Sequence, residues 1–325
     1  MKTGISDYEN RILDILYADD ITGYLNEMLA IGAELGRATL SEAECLDLAA
    51  RIDRGIWFYG AEDLNASLRH VAYLHLLTKL TRSPVRYAEL VRYIGRMQME
   101  PRYLFFLLTQ AGHLADVWPG LGSGMAHRDY YATYRRIVEA FGTRCGADLT
   151  RLGRKERLPH QAVILTRQYL NHTHRPTQIC EDIARCMLND LQQDVMIINT
   201  NDLLPVGHVV PLFGIEGHNS MEYLQEMNYT FIDGVSVPYF QCENNMPDVN
   251  AMKVILETIR ELRPQYVVSI GHYSPVASLA ARLLPVIPAD DLMPEMGPVG
   301  IRANLLRHRG MISDGRYRKV VVRCI

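Results

Sequence analysis

The sequence predicts an α/β protein in which an all-α N-terminal domain, a helical bundle or stack, precedes a doubly wound, mostly parallel sheet. Three observations carry this. Up to about residue 147 nearly every segment repeats apolar residues at three and four spacing, the period of a helix that buries one face. Beyond about residue 160 the apolar residues gather into short β-branched runs, "AVILT", "DVMIINT" and "YVVSIG", as in strands covered on both faces. Helical stretches separate those runs, and that alternation is the rhythm of an α/β sheet. The expected organisation is a helical domain over 1–147, a linker over 148–160, the α/β domain over 161–287 and an atypical basic tail over 288–325.

The helices follow in order. "ENRILDILYADDITGYLNEMLAIGAEL" carries the period with a break near Asp19 and Asp20. "LSEAECLDLAARI" places Glu44 three residues after Ser41, the spacing of a capping box. "LNASLRHVAYLHLLTKL", "SPVRYAELVRYIGRM" and "PRYLFFLLTQAGHLADVW" continue it, with Pro84 and Pro101 suited to first helical turns. This gives six or seven antiparallel helices, whose aromatic segments "IWFYG" and "RYLFFLL" read as core. No chemistry is assigned to them.

The linker "GADLTRLGRKERLPH" is polar, basic and closed by a proline. "AVILT", a helix from Pro176 to Leu188 and "DVMIINT" then form a βαβ unit. "HVVPLFG" and the alternating "YTFIDGVSVPYFQ" add strand-like pieces, partly antiparallel. A helix from about Asp248 to Leu262 leads into "YVVSIG", and "SPVASLAARLL" opens another helix.

Composition excludes several functions. At 325 residues and 48% hydrophobic content the chain can fill two cores, and a formal charge of −3 gives no electrostatic case for nucleic acid or an anionic membrane. No stretch reaches the roughly 18 apolar residues of a membrane span, and the N-terminus lacks a secretory pattern, so a cytoplasmic protein is expected. Six scattered cysteines without a CxxC pair point to reduced, mostly buried thiols, neither a zinc site nor a disulfide framework.

Ligands of such sheets bind where the strand order reverses, at the carboxyl ends of the strands. In a 3-2-1-4 order "AVILT" and "YVVSIG" are neighbours. Asn171, His172, Thr173, His174 and Thr177 then face Gly271, His272, Tyr273 and Ser274 across the crevice, which is expected to be the main polar pocket. Helix N-termini there favour an anion or a hydroxyl-rich ligand. The loop from Asn171 to Thr177 has no glycine, which argues against a dinucleotide despite Asp202 after the second strand, and no P-loop occurs. No cofactor and no metal are expected. Ser274 with Pro275 has the form of a helix cap as well as of a ligand contact, and Gln241, Asn244 and Asn245 form an amide-rich turn.

"ILTRQYLNHTHRPTQICEDIARCMLNDLQQDVMIINTND", "PYFQCENNMP" and "LRPQYVVSIGHYSPVASLAARLLPVI" together resemble the N-terminal, acceptor-side Rossmann-like domain of GT-B glycosyltransferases. The likeness is greatest to bacterial cytoplasmic members with a preceding helical domain, and it covers about Leu158 to Ile287. It implies that the loops after the first and fourth strands line an interdomain cleft, with His174 or His172 as general base toward an acceptor hydroxyl. It implies a nucleotide sugar as donor and a protein or glycan as acceptor. The family continues with a second such domain that holds the donor. Here a short segment follows, in which Arg302, Arg307, Arg309, Arg316, Arg318, Lys319 and Arg323 outnumber Asp290, Asp291, Glu295 and Asp314. The resemblance therefore implies a truncated enzyme, inactive alone or completed by a partner subunit or a second copy. A noncatalytic protein- or glycan-binding module is the alternative reading, and a hydrolase using the same crevice is a third, without a GxSxG elbow to support it.

Overall fold

The computed structural model describes residues 5–16, 20–38, 40–55, 64–203, 221–243, 246–292 and 298–313. The segments "IWFYG" and "HVVPLFG", with Asn244, Asn245 and the bases Arg316 to Arg323, lie outside them. The chain divides into two compact units, with the boundary between Ile137 and Val138.

Helices make up the described part of the first unit: α1 (Ile5–Leu16), α2 (Ile21–Arg37), α3 (Glu42–Gly55), α4 (Leu64–Thr81), α5 (Pro84–Arg96), α6 (Pro101–Val117) and the beginning of α7 (Gly124–Arg144). Local chemistry sets their starts. Asp20 accepts the N–H groups of Thr22 and Gly23 at 3.0 and 2.9 Å. Ser41 and Glu44 form the expected capping box, with Glu44 N donating to Ser41 Oγ at 3.3 Å and Ser41 N to Glu44 Oε2 at 2.7 Å. Pro84 and Pro101 occupy the first turns of α5 and α6. The stripes so presented bury Ile31, Leu48, Ile52, Leu74, Tyr87, Phe105 and Phe106 almost completely.

The second unit is an α/β sheet. Its elements are β1 (Leu158–Thr166), α8 (Arg175–Arg185), β2 (Asp194–Asn199), β3 (Tyr229–Ile232), β4 (Val235–Gln241), α9 (Val249–Leu262), β5 (Pro264–Ile270), α10 (Pro275–Leu283), β6 (Val286–Pro288) and α11 (Pro298–Ser313). Among the described residues the sheet has six strands in the order β3-β4-β2-β1-β5-β6, parallel except for β3 against β4. Asp233 and Gly234, both at positive φ, close the β3–β4 hairpin, as a right-twisted two-residue turn requires. Among the parallel strands the order is the 3-2-1-4 arrangement in which the loops after β1 and β5 are neighbours.

From β1 the chain steps to β2 on one side, and from β5 it steps to β6 on the other. Right-handed crossovers therefore send α8 and α10 to opposite faces. On one face Ala162, Ile164, Ile197, Val237, Tyr266 and Val268 pack with Cys180, Ile183 and Ala184 of α8 and with Ile301, Leu305 and Ile312 of α11. The alternate residues Val163, Leu165, Ile198 and Val267 are buried on the other face, where α9 and α10 contribute Met252, Ile255, Leu256, Val276 and Leu279.

Two expectations change here. Residues 148–157, expected as a linker, are fastened to the α/β unit. Leu152 N–H donates to Leu283 O at 2.8 Å, Arg260 Nη1 donates to Thr150 O at 2.7 Å, and Leu158 already belongs to β1. The polar composition was a poor guide because these bonds engage main-chain groups of the segment, Leu152 N–H and Thr150 O, which composition does not show. The segment 288–325, expected as an atypical basic tail, contains α11, whose Ile301, Leu305 and Ile312 lie in the sheet core. Their helical spacing is masked in the sequence by Arg302, Arg307 and Arg309 between them, yet each buried side chain of this kind stabilises by about 1.5–3 kcal/mol.

Among the described residues no helix is long and apolar enough to cross a membrane. Five cysteines are free there, and four of these are buried. Burial raises the Cys180 thiol and pushes the Cys242 thiol up to about 12, which keeps both protonated.

Candidate functional site

Three polar clusters stand at the carboxyl ends of β1, β2 and β5. The first joins the two expected loops through a residue the sequence reading did not select. Arg167, the first residue after β1, donates from Nε to Asp202 Oδ1 at 2.5 Å and from Nη1 to the carbonyl of His272 at 2.6 Å. Asp202, beyond the end of β2, has a side chain only 1% exposed, and its other oxygen accepts from Ser274 Oγ at 2.9 Å. Ser274 Oγ in turn accepts the Ala277 N–H at 3.4 Å, so it caps α10. Three strands' loops are thus tied by one ion pair and one hydroxyl. Asp202, tempting in the sequence as a ribose ligand, has both oxygens engaged inside the protein.

The turn that carries His272 is bent by two left-handed residues, Gly271 at φ +89 and Tyr273 at φ +56. A Cβ on Gly271 would stand 2.9 Å from Arg167 Cδ, so glycine is needed for the close approach as well as for the turn. The His272 ring points to Asp290, with Nε2 3.2 Å from its Oδ2.

The second cluster is built on His172. Its Nδ1 lies 2.9 Å from Glu181 Oε1 and 3.2 Å from Oε2, and Glu181 Oε1 also accepts the Tyr169 hydroxyl at 3.0 Å. The Glu181 side chain is 12% exposed while that of His172 is 83% exposed. A carboxylate accepts and does not donate, so Nδ1 carries a proton, and in the neutral ring the exposed Nε2 holds the lone pair. Burial raises the Tyr169 phenol, which keeps it a donor to Glu181. Glu181 shares the buried face of α8 with Thr177, Cys180 and Ala184. A lone acid on that apolar face was the signal in the sequence, and the reading passed over it.

The third cluster holds His174 differently. Thr177, fully buried, accepts the Leu170 N–H at 2.8 Å, and its Oγ1 lies 3.0 Å from His174 Nδ1. The buried hydroxyl hydrogen is satisfied when it points to Nδ1, which leaves Nε2–H as a donor. Partial burial lowers the His174 pKa and favours this neutral form. The two histidines therefore differ, one offering a lone pair and the other a hydrogen.

Asn171 and Thr173 serve the loop itself. Asn171 Oδ1 accepts from Thr173 N at 3.0 Å and from Thr173 Oγ1 at 2.6 Å, and Asn171 O accepts the His174 N–H at 3.0 Å. Gln241, expected in an amide-rich turn, instead ends β4 and centres a buried network whose other members the sequence did not single out. Asn199 Nδ2 and Tyr239 OH both donate to Gln241 Oε1, at 2.9 and 2.7 Å, and Asn201 Nδ2 donates to Cys242 O at 2.8 Å. It locks β2 to β4 beneath the crevice.

An open groove of about 540 Å³ lies at the other end of the sheet, lined by Asp148, Leu152, Glu257, Arg260, Glu261 and Arg263. The sequence reading had expected the polar pocket at the switch point. Among the described residues no three His, Cys, Asp or Glu side chains are grouped to hold a metal ion. Comparison of the chain with protein-family models, with curated proteins and with solved structures returned no match.

Proposed function

We propose that the α/β unit is Rossmann-like and acts as the acceptor-side half of a GT-B type glycosyltransferase. Its switch-point loops hold a hydroxyl-bearing acceptor, and His172 takes the acceptor proton. The observation that carries this reading is the Tyr169–Glu181–His172 chain, which holds one exposed imidazole as a base at the carboxyl end of β1. His174 supports it as a neighbouring donor able to orient the acceptor. In this reading the diphosphate of a nucleotide sugar is stabilised by groups outside these loops, from a second domain or a partner subunit, because departing charge needs fixed donors.

A second reading, a noncatalytic glycan- or protein-binding module, draws on the Arg167–Asp202–Ser274 cluster. Its strongest polar groups are already satisfied within the protein, as in a platform built for rigidity.

The test is incubation with UDP-, GDP- and dTDP-sugars and glycan or peptide acceptors, read by mass spectrometry. His172→Ala should cut transfer by about 10²–10⁴-fold, the usual contribution of a general base. His174→Ala should act mainly through weaker acceptor binding. Transfer that survives His172→Ala unchanged overturns the base assignment. Acceptor binding that both His172→Ala and His174→Ala leave unchanged favours the binding module.

A further inference from the structure

Where β1 and β5 begin, at the end of the sheet away from those loops, the described residues gather cations in excess of acids. Arg151, Arg154 and Arg157 precede β1, and Arg263, a left-handed residue at φ +48, closes α9 just before β5. The stretch is held along the groove described above, since Arg260 Nη1 donates to Thr150 O at 2.7 Å and Leu158 N–H to Arg263 O at 2.7 Å.

Two of the nearby acids are paired with other cations, and Glu156 and Glu261, which form no ion pair among the described residues, are outnumbered by the arginines. Asp148 pairs with Arg260 at 2.8 Å, Glu257 lies 3.7 Å from Lys253, and Glu156 accepts the Gly153 N–H at 2.5 Å. Among the described residues Arg151, Arg154, Arg157 and Arg263 form no ion pair. Arg157 is the most constrained of them. Its Nη1 donates to Gln265 O at 3.0 Å, while its Nε is buried and has no partner among the described residues. Burial and the charges of Arg151 and Arg154 both lower its pKa. A half-buried cation whose charged neighbours are cations is destabilising unless an anion completes the site.

We propose that this rim is a binding site for a compact, multiply charged phosphate-bearing anion, with Arg151 and Arg154 making the contacts and Arg157 supplying fixed positive charge beneath them. Guanidinium forks match phosphate oxygens two at a time, and several forks need more than one negative charge. An extended acidic peptide fits less well, because Glu257 and Glu261 line the adjoining groove and repel it. The site is separate from the switch-point loops and does not depend on their function.

The test uses the full chain and inorganic pyrophosphate, by calorimetry at low and moderate salt, alongside sedimentation with vesicles containing phosphatidylinositol 4-phosphate. Arg151 and Arg154 are exposed, so the double variant Arg151→Gln, Arg154→Gln should fold and melt no lower than the parent without anion. Expected is binding of one of the two probes that weakens with salt and falls at least about tenfold in the variant. Binding of pyrophosphate assigns a soluble ligand, and binding of vesicles alone assigns a lipid headgroup. Failure of both probes to bind the parent overturns the proposal. So does binding that the variant leaves unchanged, or a large drop in the variant's melting temperature, which would make the arginines structural.

Discussion

Asp202→Ala should destabilise the α/β unit by about 3–5 kcal/mol, the usual loss when one member of a buried ion pair is removed. The Arg167 side chain is 13% exposed and would keep the neutral carbonyls of His272 and Asp202 as acceptors at 2.6 and 3.5 Å, but it would lose the Asp202 carboxylate that balances its charge. Ser274 would lose its acceptor at the same stroke, and the loops after β1, β2 and β5 would come apart together. Asp202→Asn should recover only part of the loss, because an amide accepts a hydrogen bond but does not balance a guanidinium. Hydrogen exchange of β1 and β5 amides is the appropriate probe. Both tryptophans, Trp57 and Trp118, precede Ile137, so their fluorescence reports on the helical unit. An Asp202→Ala protein with unchanged exchange in β1 and β5 would show that the cluster is not what ties the strands' ends.

Gly271→Ala should cost about 2–3 kcal/mol and damage the site more than the fold. At φ +89 an alanine carries the left-handed penalty of about 1–2 kcal/mol, and its Cβ meets Arg167 Cδ at 2.9 Å. Arg167 must then shift, which breaks its bond to the His272 carbonyl and frees the 271–274 turn. Thermal melting and ligand binding should be measured on the same sample. A melt within experimental error of the parent would mean that the turn relaxes without strain.

The fold was legible where a periodicity stood alone. Apolar runs such as Ala162 to Thr166 and Tyr266 to Ile270 are β-branched, short and bounded by polar loops, so their strands and the parallel order followed from elementary rules. It was illegible where the evidence lay in the backbone or in mixed patterns. Residues 148–157 are held by Leu152 N–H on Leu283 O and by Arg260 on Thr150 O and Asp148, partners that composition does not reveal, and α11 hides Ile301, Leu305 and Ile312 among arginines. For the site, the loops were readable from topology, but the residues that organise them were not. Arg167, Glu181 and Asp202 come from a strand end, a helix face and a loop, far apart in sequence, and only the folded sheet brings them to His272, His172 and Ser274. Asn171, Thr173 and Thr177, selected as ligand contacts, are engaged chiefly in holding their own loop.

The central claim, that the loops after β1 and β5 form one acceptor site, is tested most directly by NMR titration of the full chain with neutral oligosaccharides. Because such ligands carry no phosphate, the arginine rim at the other end of the sheet does not compete for them. The account predicts chemical-shift changes confined to Asn171–Thr177, Gly271–Ser274 and their supports Arg167 and Glu181, and their loss in Gly271→Ala. Saturable changes centred elsewhere, with both loops silent, would contradict it.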